Sequence, residues 1–214
     1  VIRLWDDFLP EVLPFVQNCP ELTANNAVRN ACIEFCERSL WWLFEHDPIV
    51  TTALGSRYAL VPPDGTLCAR VMDAWYNDAS LSPRSDDQLR SLFGPDWRNA
   101  TGSPRYVTHI TPDIVMVVPT PQEDAADGTL SLIIALRPTR ESAGVDSIIY
   151  DRWLETVAAG ARARLYDIAG QPFSDPTAAI KSRLAFNRGI ADAARDRARS
   201  MGRGISRVRP VGFF

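Results

Sequence analysis

The apolar residues of this chain keep two different periods, and the switch between them limits the fold more than any other feature. From about Thr23 to Glu45 the spacing is helical: Ala24, Ala27, Val28, Ala31, Cys32, Phe35, Cys36, Ser39, Trp42 and Leu43 form one stripe. A second set, Ile33, Leu40, Trp41 and Phe44, lies off that stripe. The spacing therefore predicts a long helix that is apolar on more than one side near its end, held between two neighbours. From Pro48 to about Thr139 the period falls to two. Segments 56–61 and 66–76 are separated by Pro62-Pro63-Asp64-Gly65, where proline presets one dihedral and glycine supplies a positive φ. Segments 105–110, 113–118 and 129–137 read as three more strands. In the last, Leu130, Leu132, Ile134 and Leu136 alternate imperfectly with Ser131, Ile133, Ala135 and Arg137, which predicts partial cover on both faces. A short helix over 86–93 and an acidic loop over 120–128, carrying Glu123 and Asp124, fall between strands.

Helical spacing then returns. Tyr150, Trp153, Leu154, Val157, Ala161, Leu165 and Ile168 share a face over 147–168, with Gly170 as a stop. Asp175-Pro176 places an N-cap before a first-turn proline and opens a last helix running to about Met201, with an apolar arc of Ile180, Leu184, Ile190, Ala191 and Ala194. The expected class is α+β. A helical bundle forms from the N- and C-terminal helices (1–47 and 140–201), with a central β-rich insertion (48–139) and an extended C-terminal arm (202–214).

Chemistry is hard to find in this sequence. The two histidines, His46 and His109, stand on separate predicted elements, where a structural role is the ordinary one. No GxSxG elbow, GxxxxGK[ST] phosphate loop or GxGxxG fingerprint is present. Cys19, Cys32, Cys36 and Cys68 lack metal-ligand spacing and read as reduced thiols, so no metal and no cofactor is expected. The acid pairs Asp6-Asp7, Asp86-Asp87 and Glu123-Asp124 suit helix first turns and solvated loops. The reading is a protein without catalytic machinery. No apolar run approaches the ~18 residues of a membrane span. The opening residues also lack the layout of a secretion signal, which gives a cytosolic, membrane-free expectation.

Charge and aromatic content say more. Residues 181–214 hold nine basic groups against Asp192 and Asp196, a surplus of seven; the whole chain is −3, so residues 1–180 carry −10. Such asymmetry marks a charged interaction tail. Within the arm, Arg207 and Arg209 alternate with Val208, and Phe213-Phe214 close the chain. This suits addition of a strand to a partner with the phenylalanines as anchors; a basic tail without fixed structure and a nucleic-acid contact are the other readings. There are six tryptophans, a residue that serves both cores and interfaces. Trp97, in the polar loop Gly94-Pro95-Asp96-Trp97-Arg98-Asn99, and Trp41 are the candidates for interfaces.

Taken in order, Leu4-Trp5-Asp6-Asp7-Phe8-Leu9-Pro10-Glu11, the stretch from Asn30 to Ser39, Asp47-Pro48-Ile49, Asp96-Trp97-Arg98, Ala135-Leu136-Arg137-Pro138 and the stretch from Gly160 to Leu165 resemble the head–tail adaptors of tailed bacteriophages. The likeness is to the tail tubular protein A-like ring proteins. It implies a virion structural protein at the head–tail neck, assembled in the host cytoplasm. Its partners would be further copies of itself in a ring, commonly of twelve, the portal protein above and a tail or nozzle protein below. Packaged DNA would be retained by the ring and pass through it without sequence-specific contact. The implied portal-binding residues are Arg203, Arg207, Arg209, Phe213 and Phe214. Trp41, Trp97, Glu123 and Asp124 are assigned to subunit or tail-facing contacts. The rival is a DNA-binding or regulatory protein that uses the basic tail, though the −10 of residues 1–180 would be repelled by phosphate.

Overall fold

A computed structural model describes residues 1–122 and 128–201. Along the chain run β1 (Ile2–Leu4), a 3-10 segment (Trp5–Glu11), α1 (Glu21–Ser39), β2 (Leu43–Thr51), β3 (Arg57–Ala59), β4 (Thr66–Tyr76) and β5 (Ala79–Pro83). There follow α2 (Asp86–Phe93), a 3-10 turn (Trp97–Asn99), β6 (Tyr106–Thr111), β7 (Ile114–Val118), β8 (Gly128–Pro138), β9 (Gly144–Asp146), α3 (Ser147–Tyr166) and α4 (Pro176–Met201). The class is α+β, as the two periods predict.

The caps explain several boundaries. The amides of Thr177 and Ala178 donate to Asp175 Oδ1 at 2.9 and 3.0 Å, so the acid ahead of Pro176 opens α4. Asp146 does the same for α3 through the Ile148 amide at 2.9 Å. Ser85 and Gln88 form a reciprocal capping box on α2.

The helix expected over 23–45 is shorter than its pattern. Leu40 adopts the left-handed conformation (φ 52°, ψ 32°) and its amide closes on the Cys36 carbonyl at 2.9 Å, ending α1 at Ser39. From Leu43 the chain is a strand, and Trp42 and Phe44 pack against the barrel interior. Leu40, Trp41 and Phe44 are off the helical stripe because the helix has already stopped, whereas Ile33 lies within α1 and is half-buried.

Seven strands form one sheet in the order β2-β8-β4-β5-β6-β7-β3, all antiparallel except β5 with β6. The two edges, β2 and β3, are consecutive in sequence. A connection of five residues can reach from one edge to the other only if the sheet curls almost closed. His46 helps bridge that gap: its Nδ1 lies 2.6 Å from the Asp47 carbonyl and its Nε2 accepts the Val61 amide at 2.8 Å. These bonds select the neutral tautomer protonated at Nδ1. The barrel interior holds Val71, Leu81, Val107, Val115, Val117, Leu130, Leu132, Ile134 and Leu136.

A second core lies among α1, α3, α4 and the first 3-10 segment, with Phe8, Val28, Phe35, Ile149, Val157 and Phe186 at its centre. Small residues let these helices approach. A Cβ on Gly160 would lie 2.8 Å from the Phe186 ring and 3.0 Å from the Ala31 methyl. α3 kinks at Trp153 (φ −127°, ψ 15°). β1 pairs antiparallel with β9, tying the first residues to the start of α3. β8 joins the two cores, with α1 against it and Arg137 of β8 bound to Glu37 of α1 at 3.2 Å. A third, smaller core of Leu89, Trp97, Met116 and Val118 fixes α2 to the outside of the barrel.

Candidate functional site

Among the described residues, the cysteines, Asp86 and Glu34 have structural surroundings. Cys32, Cys36 and Cys68 are buried and Cys19 half-buried, and none is in a disulfide. The hydrogen bond from Cys32 and then burial push the Cys36 thiol well up. Burial pushes Cys68 to about 11. Neither supplies a thiolate near neutral pH. His109 is held below the usual imidazole value by burial, against the opposing Pro112 carbonyl and Asp113. Asp86, in the first turn of α2, is bound by Arg90 and by Arg98 at 3.4 and 2.9 Å. Glu34 loses solvent, which raises its pKa, but Arg38 and Arg164 outweigh this and its carboxyl sits below the ordinary range. It is a tie between α1 and α3. Among the described residues no group of three or more His, Cys, Asp or Glu side chains is placed to hold a metal ion. No helix there is long and apolar enough to cross a membrane.

What the molecule offers instead is surface. Trp41, just beyond α1, is half-buried; its Nε1 donates to Asp196 of α4 at 3.0 Å and its ring meets Trp153 edge-on. The Arg152 guanidinium lies 5.2 Å from the centre of the same ring. Trp41, Trp42, Leu43, Ile148, Arg152 and Asp196 line a groove of about 420 Å³ where the C-terminal half of α4 meets the start of α3. Next to Ile148, β1 leaves Ile2 and Leu4 exposed.

At the other end of α4, Ile180 and Leu184 are 63 % and 60 % exposed. The arc read from the sequence put both in the packed face. The packed face is Ala179, Phe186, Ile190 and Ala193, so of the expected arc Ile190 is covered, Ala191 is exposed, and Ile180 and Leu184 form a free apolar ridge. The helical period alone does not say which of two apolar stripes is covered.

Trp97 is only 1 % exposed, wedged between α2 and the barrel, with Arg98 stacked 4.7 Å from its ring centre. The ring is a core residue; the outer surface of its loop is made by Asp96, Arg98 and Asn99. Glu123, Asp124, Arg203, Arg207, Arg209, Phe213 and Phe214 lie outside the described residues. The sequence does not show the groove beside Trp41 as a unit, because the helical spacing runs on through Trp42 and Leu43. The signal against it was the aromatic run Leu40-Trp41-Trp42-Leu43-Phe44 ahead of Asp47-Pro48, which suits a strand.

No curated protein matches the chain. A family model described as SU10 adaptor protein matches residues 4–210. That span takes in the helical core, the barrel and all but the first three and last four residues, and the chain belongs to the SU10 adaptor protein family.

Proposed function

We propose that the protein is a virion structural component of a tailed phage, a non-enzymatic adaptor that joins head to tail. The family match over 4–210 carries this reading. In its finer form, the chain is built like tail tubular protein A-like ring proteins. A bundle from its N- and C-terminal parts (1–47 and 140–201) carries the β-rich insertion (48–139) and the arm (202–214). Copies associate head to tail in a closed ring, commonly of twelve, at the neck of the virion. Each copy then meets its neighbours through two unlike patches. The Trp41 groove and the Ile180–Leu184 ridge are such a pair: one concave, one convex, at opposite ends of α4. The arm docks on the portal through Arg203, Arg207, Arg209, Phe213 and Phe214. The loops carrying Trp97, Glu123 and Asp124 face the tail protein. DNA is retained by the ring and passes through it.

Particle imaging of the full chain mixed with the portal of the same phage tests this. The expected result is a ring of copies stacked on the portal, absent when residues 202–214 are deleted. Rings formed equally well by the truncated chain would remove the arm from the interface. A chain that ignores portal but binds duplex DNA, with affinity falling steeply with salt, would replace the adaptor by the regulatory reading.

A further inference from the structure

The barrel wall has an opening. β5 pairs with Ala74–Tyr76 of β4 on one side and with Tyr106 and Val107 of β6 on the other. It stops at Pro83; the Arg84 amide still bonds the Val107 carbonyl at 2.9 Å, and Ser85 then caps α2. Beyond that point residues 68–71 of β4 are laddered only to β8, and 108–111 of β6 only to β7. Each strand thus keeps a free backbone edge, the usual template for an added strand. Between them lies a cleft of about 680 Å³ that runs on into one of about 370 Å³. His109 Nε2 is buried beside it without a hydrogen-bond partner among the described residues.

The lining is cationic. Its two carboxylates are already spent, Asp86 on Arg90 and Arg98 and Glu37 on Arg137. Arg70 and Arg84 are exposed and have no carboxylate partner among the described residues; Arg84 only stacks on the Tyr106 ring, 5.9 Å from its centre. The chain's own basic arm would be repelled here. A duplex has no strand backbone with which to pair the free edges of β4 and β6. We infer that this cleft docks an extended acidic segment of another protein, which adds a strand to the free edge of β4, the strand that carries Arg70, and places its carboxylates on Arg70 and Arg84.

The test is a fluorescein-labelled peptide of alternating Glu and Val, titrated into the full chain at low salt and followed by anisotropy. Saturable binding is expected, about tenfold weaker for Arg70→Glu/Arg84→Glu. It should be weaker too for a peptide with Pro in place of alternate Val, which cannot pair as a strand. A Lys–Val peptide should bind the charge-reversed chain better than the native one, which separates lost contacts from misfolding. On binding, amide exchange should slow at 68–71. Absence of saturable binding, indifference to proline or to the two substitutions, or binding of a short duplex DNA at Arg70 and Arg84 instead would overturn the inference. It does not rest on the adaptor reading: rings can form on the portal with this cleft empty, and the peptide can bind where rings fail.

Discussion

Gly160 stands where α1, α3 and α4 converge, and the space beside its Cα is already taken by Phe186 and Ala31. Gly160→Ala adds a methyl group with nowhere to go. It is expected to cost about 1–3 kcal/mol, read from urea denaturation midpoints, despite the better helix propensity of alanine. His109 sets a pH dependence. Its folded pKa lies below the ordinary 6.5 because burial disfavours the imidazolium. The unfolded chain therefore takes up the proton first. Its contribution to stability is complete above pH ~6.5 and is lost as the pH falls through the window below that value. His109→Gln should flatten this part of the stability–pH curve, measured by thermal melts from neutral to mildly acidic pH.

Individual elements show how far the sequence speaks. α2 is found over Asp86–Phe93 and β4 over Thr66–Tyr76, as expected, because local signals agree there: a Ser85–Gln88 box for one, a Pro-Pro-Asp-Gly turn for the other. β5 was unmarked, since Ala79-Ser80-Leu81-Ser82-Pro83 has one buried apolar residue and is a strand only through its neighbours. β1 and β9 are equally silent, three residues each, defined by pairing across the chain. Trp97 reads as a loop residue locally, and only the meeting of α2 with β7 makes it core. The covered side of α4 depends on where α3 lies, which no local pattern states. Ile180→Glu/Leu184→Glu should leave thermal stability within about 0.5 kcal/mol, because both side chains already face solvent. The same double variant is expected to stop ring assembly on the portal in particle images, if the ridge is the subunit contact proposed above.

At the scale of the whole molecule, two cores divide the work: a helical layer and a nearly closed barrel, joined through β8 and α1. Among the described residues neither core takes a side chain beyond Ala193. Deleting 202–214 removes three arginines and shifts the formal charge from −3 to −6. The melting temperature is expected to stay the same, with the charge change visible as later elution on an anion exchanger. The barrel also has an uneven circumference. Most neighbouring strands are stitched by backbone ladders, whereas β2 and β3 are met across their boundary by the imidazole of His46. A cylinder sewn in this way has a seam. Of the two breaks in its circumference this one is held by a side-chain bond and the one between β4 and β6 by no ladder, so tension would widen the cleft before it parted His46 from Val61.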